Sequence, residues 1–78
     1  MKLIIAKVDE VLFDGEAFDV TVPGAGGEMT IMGEHEPLIT TLTAGSVVLR
    51  EHKEGSPRYF EIAGGAIEVR RDGTTILL

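Results

Sequence analysis

The sequence has no cysteine and no tryptophan, and only three phenylalanines, one tyrosine and three prolines. Without cysteine there is no disulfide framework, no thiolate zinc site and no cysteine nucleophile, which fits a reducing compartment. The shortage of aromatics removes the stacking surfaces that a carbohydrate-cleaving pair of carboxylates normally brings with it. Basic residues are also scarce: seven against thirteen acidic ones leave a net charge of −6 and a pI near 4.7. A chain of that sign repels a phosphate backbone rather than displacing its counterions, so nucleic acid is not an expected partner. Long apolar runs are missing as well. The longest uncharged stretch, Pro37 to Leu49, is interrupted by threonines and is shorter than the roughly 20 apolar residues of a spanning helix. Leu3 to Ala6 is too brief for the core of an export signal.

What is abundant points to strands. Seven valines, seven isoleucines and seven threonines favour a pleated, half-buried backbone, and ten glycines punctuate it. No window places apolar residues at helical spacing, and seventy-eight residues hold one domain, residues 1–78. Lys2 to Val8 reads as a first strand, and Asp14-Gly15 as a turn at which the chain reverses. Ala17 to Pro23 alternates cleanly, with Phe18, Val20 and Val22 on one face. Pro23-Gly24-Ala25-Gly26-Gly27 lacks the lysine and helix start of a phosphate-binding loop and reads as a tight turn. Glu28 to Met32, Leu38 to Leu42, Ser46 to Glu51, Arg58 to Ala63, Ala66 to Arg70 and Thr74 to Leu78 supply further strands. Gly64-Gly65 marks a bulge or a close backbone approach, and Asp72-Gly73 predicts a type I′ hairpin.

Residues with chemical potential are few. Glu34-His35-Glu36 is the one dense cluster of ligand types, but neighbours on an extended chain point to opposite faces, and no second histidine is close in sequence. As a general base His35 would need an orienting acid and a nucleophile, and neither Ser46 nor Ser56 sits in a nucleophile elbow. Asp9-Glu10, Glu61 and Glu68 read as solvated charge. Two-sided apolar strands such as Leu38-Ile39 and Val47-Val48-Leu49 offer more apolar positions than one thin core hides, which favours an interaction module. A small enzyme built on His35 and a carboxylate, or a free-standing ligand-binding sandwich, are the alternatives.

Five segments recur in a fixed order that resembles a known family: Phe13-Asp14-Gly15 (Phe-x-Gly), Gly27-Glu28-Met29-Thr30-Ile31 (Gly-Glu-Leu-Gly-Ile), His35-Glu36-Pro37-Leu38-Ile39-Thr40 (His-Ala-Pro-Leu-Leu-Thr), Ala44-Gly45 (Pro-Gly) and Gly64-Gly65-Ala66-Ile67-Glu68-Val69 (Gly-Gly-Ile-Leu-Glu-Val). Together they resemble the N-terminal β-sandwich domain of the epsilon subunit of F-type ATP synthases, the equivalent of the mitochondrial delta subunit. Met32-Gly33-Glu34-His35 departs from it by standing where the family has Tyr-Pro-Gly-His, and Thr30 stands for a glycine.

The resemblance implies an all-β fold, a flattened sandwich or barrel of about ten short strands. It implies a non-catalytic rotor subunit of the central stalk, without cofactor or metal, that binds the gamma subunit and the ring of c subunits of the F1Fo complex and couples ion translocation to ATP synthesis. Its place would be peripheral to the cytoplasmic face of the bacterial cell membrane, or the stromal or matrix equivalent, without insertion. By position, Glu28 would face the c ring, His35 and Thr40 would face gamma, and Gly27, Gly64 and Gly65 would be structural glycines. The family's C-terminal helical hairpin, which binds ATP in some members and restrains hydrolysis, is absent from these 78 residues. A short natural form and a trimmed domain both fit, and either is expected to couple rotation without inhibiting by helix extension.

Overall fold

A computed structural model describes residues 1–78 as nine strands with no helix. In chain order they are β1 (Lys2–Lys7), β2 (Glu10–Glu16), β3 (Asp19–Gly24), β4 (Gly27–Met32), β5 (Leu38–Leu42), β6 (Gly45–Arg50), β7 (Arg58–Ile62), β8 (Gly65–Arg70) and β9 (Gly73–Leu77). Eight of them match the segments that alternation and glycine punctuation mark out, and β2 runs through the Asp14-Gly15 pair read as a turn; the tenth strand implied by the family does not form.

The strands make two layers. One sheet runs β2-β1-β9-β8-β5 and the other β4-β3-β6-β7, and they join where Gly24 of β3 pairs with Leu42 of β5. We call them the first and second sheet. All pairings are antiparallel except one: β1 lies parallel to β9, which it meets from Leu3↔Thr74 to Ala6↔Leu77. Period-two alternation then sends one side chain in two to the interior. Fourteen apolar residues form a single core, with Leu3 and Ile5 of β1, Ile67 and Val69 of β8 and Ile76 of β9 facing Val20 and Val22 of β3, Ile31 of β4 and Val47 and Leu49 of β6. Each such side chain contributes about 1.5–3 kcal/mol on leaving water. Where the edge strands β2 and β7 face each other without backbone hydrogen bonds, the Arg58 guanidinium lies between the rings of Phe13 and Phe60, 5.3 and 5.6 Å from their centroids.

Antiparallel connection also sorts the loops to two ends. One end holds Met1, the 33–37 and 51–57 loops and the Arg71-Asp72 turn; we call it the His35 end. The opposite, Glu28 end holds four two-residue connections: Val8-Asp9, Ala25-Gly26, Thr43-Ala44 and Ala63-Gly64.

Two local expectations fail. Asp14-Gly15 does not reverse the chain but continues β2, with Asp14 paired to Ile4 and Gly15 to Leu3. The reversal is made earlier, at Val8-Asp9, because full pairing with β1 is worth more than one dipeptide's turn preference. β2 takes up its extra residue, Leu12, as a bulge between Ile5↔Phe13 and Ala6↔Val11. The second concerns the β8–β9 hairpin, which forms as expected, but its two loop residues are Arg71 and Asp72, neither with positive φ, so the turn is not type I′.

Gly65 is the glycine the packing cannot replace. Its φ is 147°, and a Cβ built there would sit in the Leu77 carbonyl of the neighbouring strand. Gly65→Ala is therefore expected to lower unfolding stability by about 2 kcal/mol or more, read as a fall in the urea midpoint at unchanged slope.

Candidate functional site

No concave reaction centre organises the surface. The largest recess, about 590 Å³, is an open groove beside Pro37, Ile39, Glu68 and Arg70, and a cavity of about 150 Å³ opens between the 33–37 loop and the Arg71-Asp72 turn. No three His, Asp or Glu side chains converge as metal ligands. His35 is half-buried at the mouth of that cavity, and its one side-chain hydrogen bond joins Nδ1 to the backbone carbonyl of Glu36 at 2.8 Å. Neither serine reaches it: Ser46 hydrogen-bonds Glu61 on the outer face of the second sheet. Glu68, paired with Arg70 at 3.1 Å, lies on the first sheet, so Glu61 and Glu68 do not meet.

The distinctive surfaces are instead the two outer faces, and strand register reads them out. Across the first sheet, Val11, Ala6, Leu77, Ala66 and Thr41 stand side by side on five strands. The next row is Asp14, Ile4, Thr75, Glu68 and Ile39. Three of these apolar side chains are well exposed, Val11 at 63%, Leu77 at 56% and Ile39 at 75%, and Val8 at the hairpin tip is wholly exposed beyond them. The second sheet differs. Its middle row is Thr30, Thr21, Val48 and Tyr59, flanked by Met32, Asp19 and Arg50 on one side and by Glu28, Pro23, Ser46 and Glu61 on the other. Hydroxyls and charges there satisfy one another: Thr21 and Thr30 are bonded at 2.9 Å, and Arg50 holds Asp19 through two nitrogens at 3.1 and 2.6 Å. Hydrogen bonding to Asp19 raises the Arg50 guanidinium above its ordinary range, so it stays charged. Arg50 also donates to the Lys53 carbonyl and stacks on Phe18, which pins the 51–57 loop.

The residues named from the sequence occupy opposite ends. Glu28 is exposed at the start of β4, beside the Ala25-Gly26 turn and opposite Pro23. From there β4 carries the chain about 13 Å, at about 3.3 Å per residue, to Met32 at the His35 end. Thr40 is half-buried, because its position on β5 shares the core side with Leu42; Ile39 and Thr41 carry the outward positions. Gly27 has φ 129° after the turn, and Gly64 and Gly65 have φ 156° and 147° where β7 passes to β8. The sequence reading singled out Ile39 among apolar strand residues but not Val8, Val11 or Leu77. Only the pairing of β1 with β9 brings those three together, and no local pattern announces a parallel contact across seventy residues.

Position 34 explains how His35 is presented. Glu34 is the single non-glycine residue with positive φ, at 69°, and the His35 N–H bonds back to the Met32 carbonyl at 3.3 Å. The left-handed residue turns the chain tightly, and His35 and the Arg71-Asp72 turn line the same cavity.

Comparison with known proteins gives a consistent result. The family described as ATP synthase, Delta/Epsilon chain, beta-sandwich domain matches residues 1–78. The chain is 43% identical over 77 residues to ATP synthase epsilon chain 2 of Burkholderia orbicola (strain AU 1054), covering 99% of this chain and 51% of the relative. It is 35% identical over 77 residues to the ATP synthase epsilon chain of Herminiimonas arsenicoxydans, covering 99% and 55%. The chain thus spans about half the length of the curated relatives it matches. Its fold is similar to a chain of the Euglena gracilis mitochondrial ATP synthase (TM-score 0.86, 23% identity, 96% of this chain and 48% of that one). It is also similar to one of the Tetrahymena thermophila mitochondrial ATP synthase central stalk and c ring (TM-score 0.80, 19% identity, 99% and 61%).

Glu34→Gly is expected to stabilise the domain by up to about 1 kcal/mol, since glycine enters the left-handed region without the steric cost that glutamate bears. Chemical denaturation of the two forms measures the difference.

Proposed function

The chain belongs to the ATP synthase delta/epsilon chain family as its beta-sandwich domain, and from that premise we propose that it is a non-catalytic rotor element of the central stalk. It binds the gamma subunit, rests on the c ring and so makes their rotation one motion, coupling ion translocation to ATP synthesis. It lies peripheral to the membrane and needs no cofactor. The observation that carries this reading is the contrast between the two outer faces. The second sheet bonds its own hydroxyls and charges around the exposed Met32 and Tyr59, whereas the first presents Val11, Leu77 and Ile39 to solvent on a rigid backbone. Exposed apolar side chains gathered on one face of a folded domain mark a surface that a partner covers. We assign this face to gamma, together with His35 and the half-buried Thr40, whose neighbours Ile39 and Thr41 carry the outward positions of β5.

Glu28 supports the second contact. It stands exposed among short turns at the end remote from His35, together with Asp9 and Glu10, so that end is acidic and compact, suited to the polar loops of a ring of identical subunits. Neither contact asks the domain to change shape. Torque needs only two separate surfaces held at a fixed distance, and a body of 27 × 24 × 23 Å knitted by 45 backbone hydrogen bonds provides them.

The test separates the two surfaces. Val11→Asp and Leu77→Asp are expected to weaken binding to purified gamma by at least about tenfold while leaving the circular dichroism spectrum intact. Glu28→Gln is expected to leave gamma affinity unchanged and to weaken retention on the c ring by less than about fivefold, the range of an exposed ion pair. A domain that ignores gamma at micromolar concentration, or binds it equally well with both aspartates in place, would sink the assignment.

A further inference from the structure

We infer that His35 selects its stalk partner through a single ring nitrogen: Nδ1–H is committed to the Glu36 carbonyl, and Nε2 is an acceptor held for a hydrogen-bond donor on gamma, so docking weakens when Nε2 takes up a proton. This rests on the rotor reading above and adds to it the chemistry of one contact and its dependence on pH.

The tautomer follows from geometry. A carbonyl oxygen only accepts, so the 2.8 Å contact between Nδ1 and the Glu36 carbonyl requires the hydrogen to be on Nδ1 in the neutral ring. The neutral ring then has its lone pair on Nε2. That atom has no partner within the chain, and no buried side-chain nitrogen or oxygen lacks one, so Nε2 is open at the surface. The ring itself is not free to wander. It is half-buried, its backbone N–H bonds back to Met32 across the left-handed Glu34, and its Nδ1 is tied to the carbonyl of the residue that follows. A fixed ring with one nitrogen already bonded is a directional acceptor. Protonation reverses its sense: Nε2–H⁺ meets a donor with another donor, and the bond is lost.

The surrounding charges do not supply the same effect. Facing His35 are Glu34 and Glu36 from its own loop, Arg70, Arg71 and Asp72 from β8 and the turn after it, and Lys2 from β1. That is three acids against three bases. The Met1 ammonium nearby is already bonded to the Ala17 carbonyl and lies 3.5 Å from Glu16. Protonating His35 thus changes the hydrogen-bond character of one atom in a locally balanced field.

The experiment uses the whole chain with His52→Gln, which removes the one other imidazole. Nitrogen NMR at pH 8 reads the tautomer of His35 directly, and is expected to show the hydrogen on Nδ1. Binding to purified gamma is then measured at pH 8 and at pH 5.5, with the NMR signals of His35 reporting its protonation at each. Affinity is expected to fall about tenfold between them, and His35→Gln to reduce the ratio to within about twofold, since its amide does not titrate. The inference is overturned by a hydrogen on Nε2 at pH 8, by an affinity that is equal or higher at pH 5.5, or by a pH response that survives in His35→Gln. Binding that persists without pH dependence removes this inference alone; absence of binding at both pH values removes the rotor reading and this inference with it.

Discussion

Shared burial of fourteen apolar side chains between two sheets is the interaction on which the rest of the domain depends. A chain of 78 residues hides only about 60% of the surface it exposes when unfolded, and with no disulfide or metal to help, almost every inward position must be apolar and filled. Asp19 and Thr74 are the buried exceptions, and both have partners: Asp19 has the Arg50 guanidinium, and the Thr74 hydroxyl meets the Met1 sulfur. Because the core takes alternate residues so completely, what remains outside is free to vary. The two outer faces accordingly differ: one bonds its hydroxyls and charges around the exposed Met32 and Tyr59, the other exposes Val11, Leu77 and Ile39.

Eight of the nine strands were visible in the sequence because alternation and glycine spacing are local signals, and here local signal and tertiary pairing mostly agree. They part at Asp14-Gly15, where a turn-forming dipeptide is drawn into a strand by its neighbour β1. The Gly64-Gly65 pair left a bulge or a close approach open, and the close approach is made at Gly65, where a Cβ would meet the Leu77 carbonyl. The presentation of His35 was not legible: the sequence showed only that Met32-Gly33-Glu34-His35 departs from the family's Tyr-Pro-Gly-His, and the positive φ falls on Glu34 rather than on the adjacent glycine. The exposed apolar face was not legible either, because Val11 and Leu77 become near neighbours only through the strand between them, and register is a property of the folded sheet.

Glu28 and His35 sit at opposite ends of one strand and its following loop, about 13 Å of regular backbone apart before the loop begins. Strand β4 is unbroken by bulge or proline and pairs with β3 along its whole length, from Gly24↔Gly27 to Asp19↔Met32. An extended backbone bonded throughout to its neighbour has little compliance along its axis. In the proposed rotor role, that stiffness matters more than a large interior, and a partner bound to the folded form would add directly to its stability.

The parallel pairing of β1 with β9 has a consequence for how the domain comes into being. The first strand and its hairpin leave the ribosome early, but the seat beside them belongs to residues 73–77, with β8 placed only beyond these. Leu3 and Ile5 therefore wait, uncovered, until nearly the entire domain has been synthesised. The first sheet therefore closes last, through a contact that spans some seventy residues, whereas the strands of the second sheet all lie between residues 19 and 62.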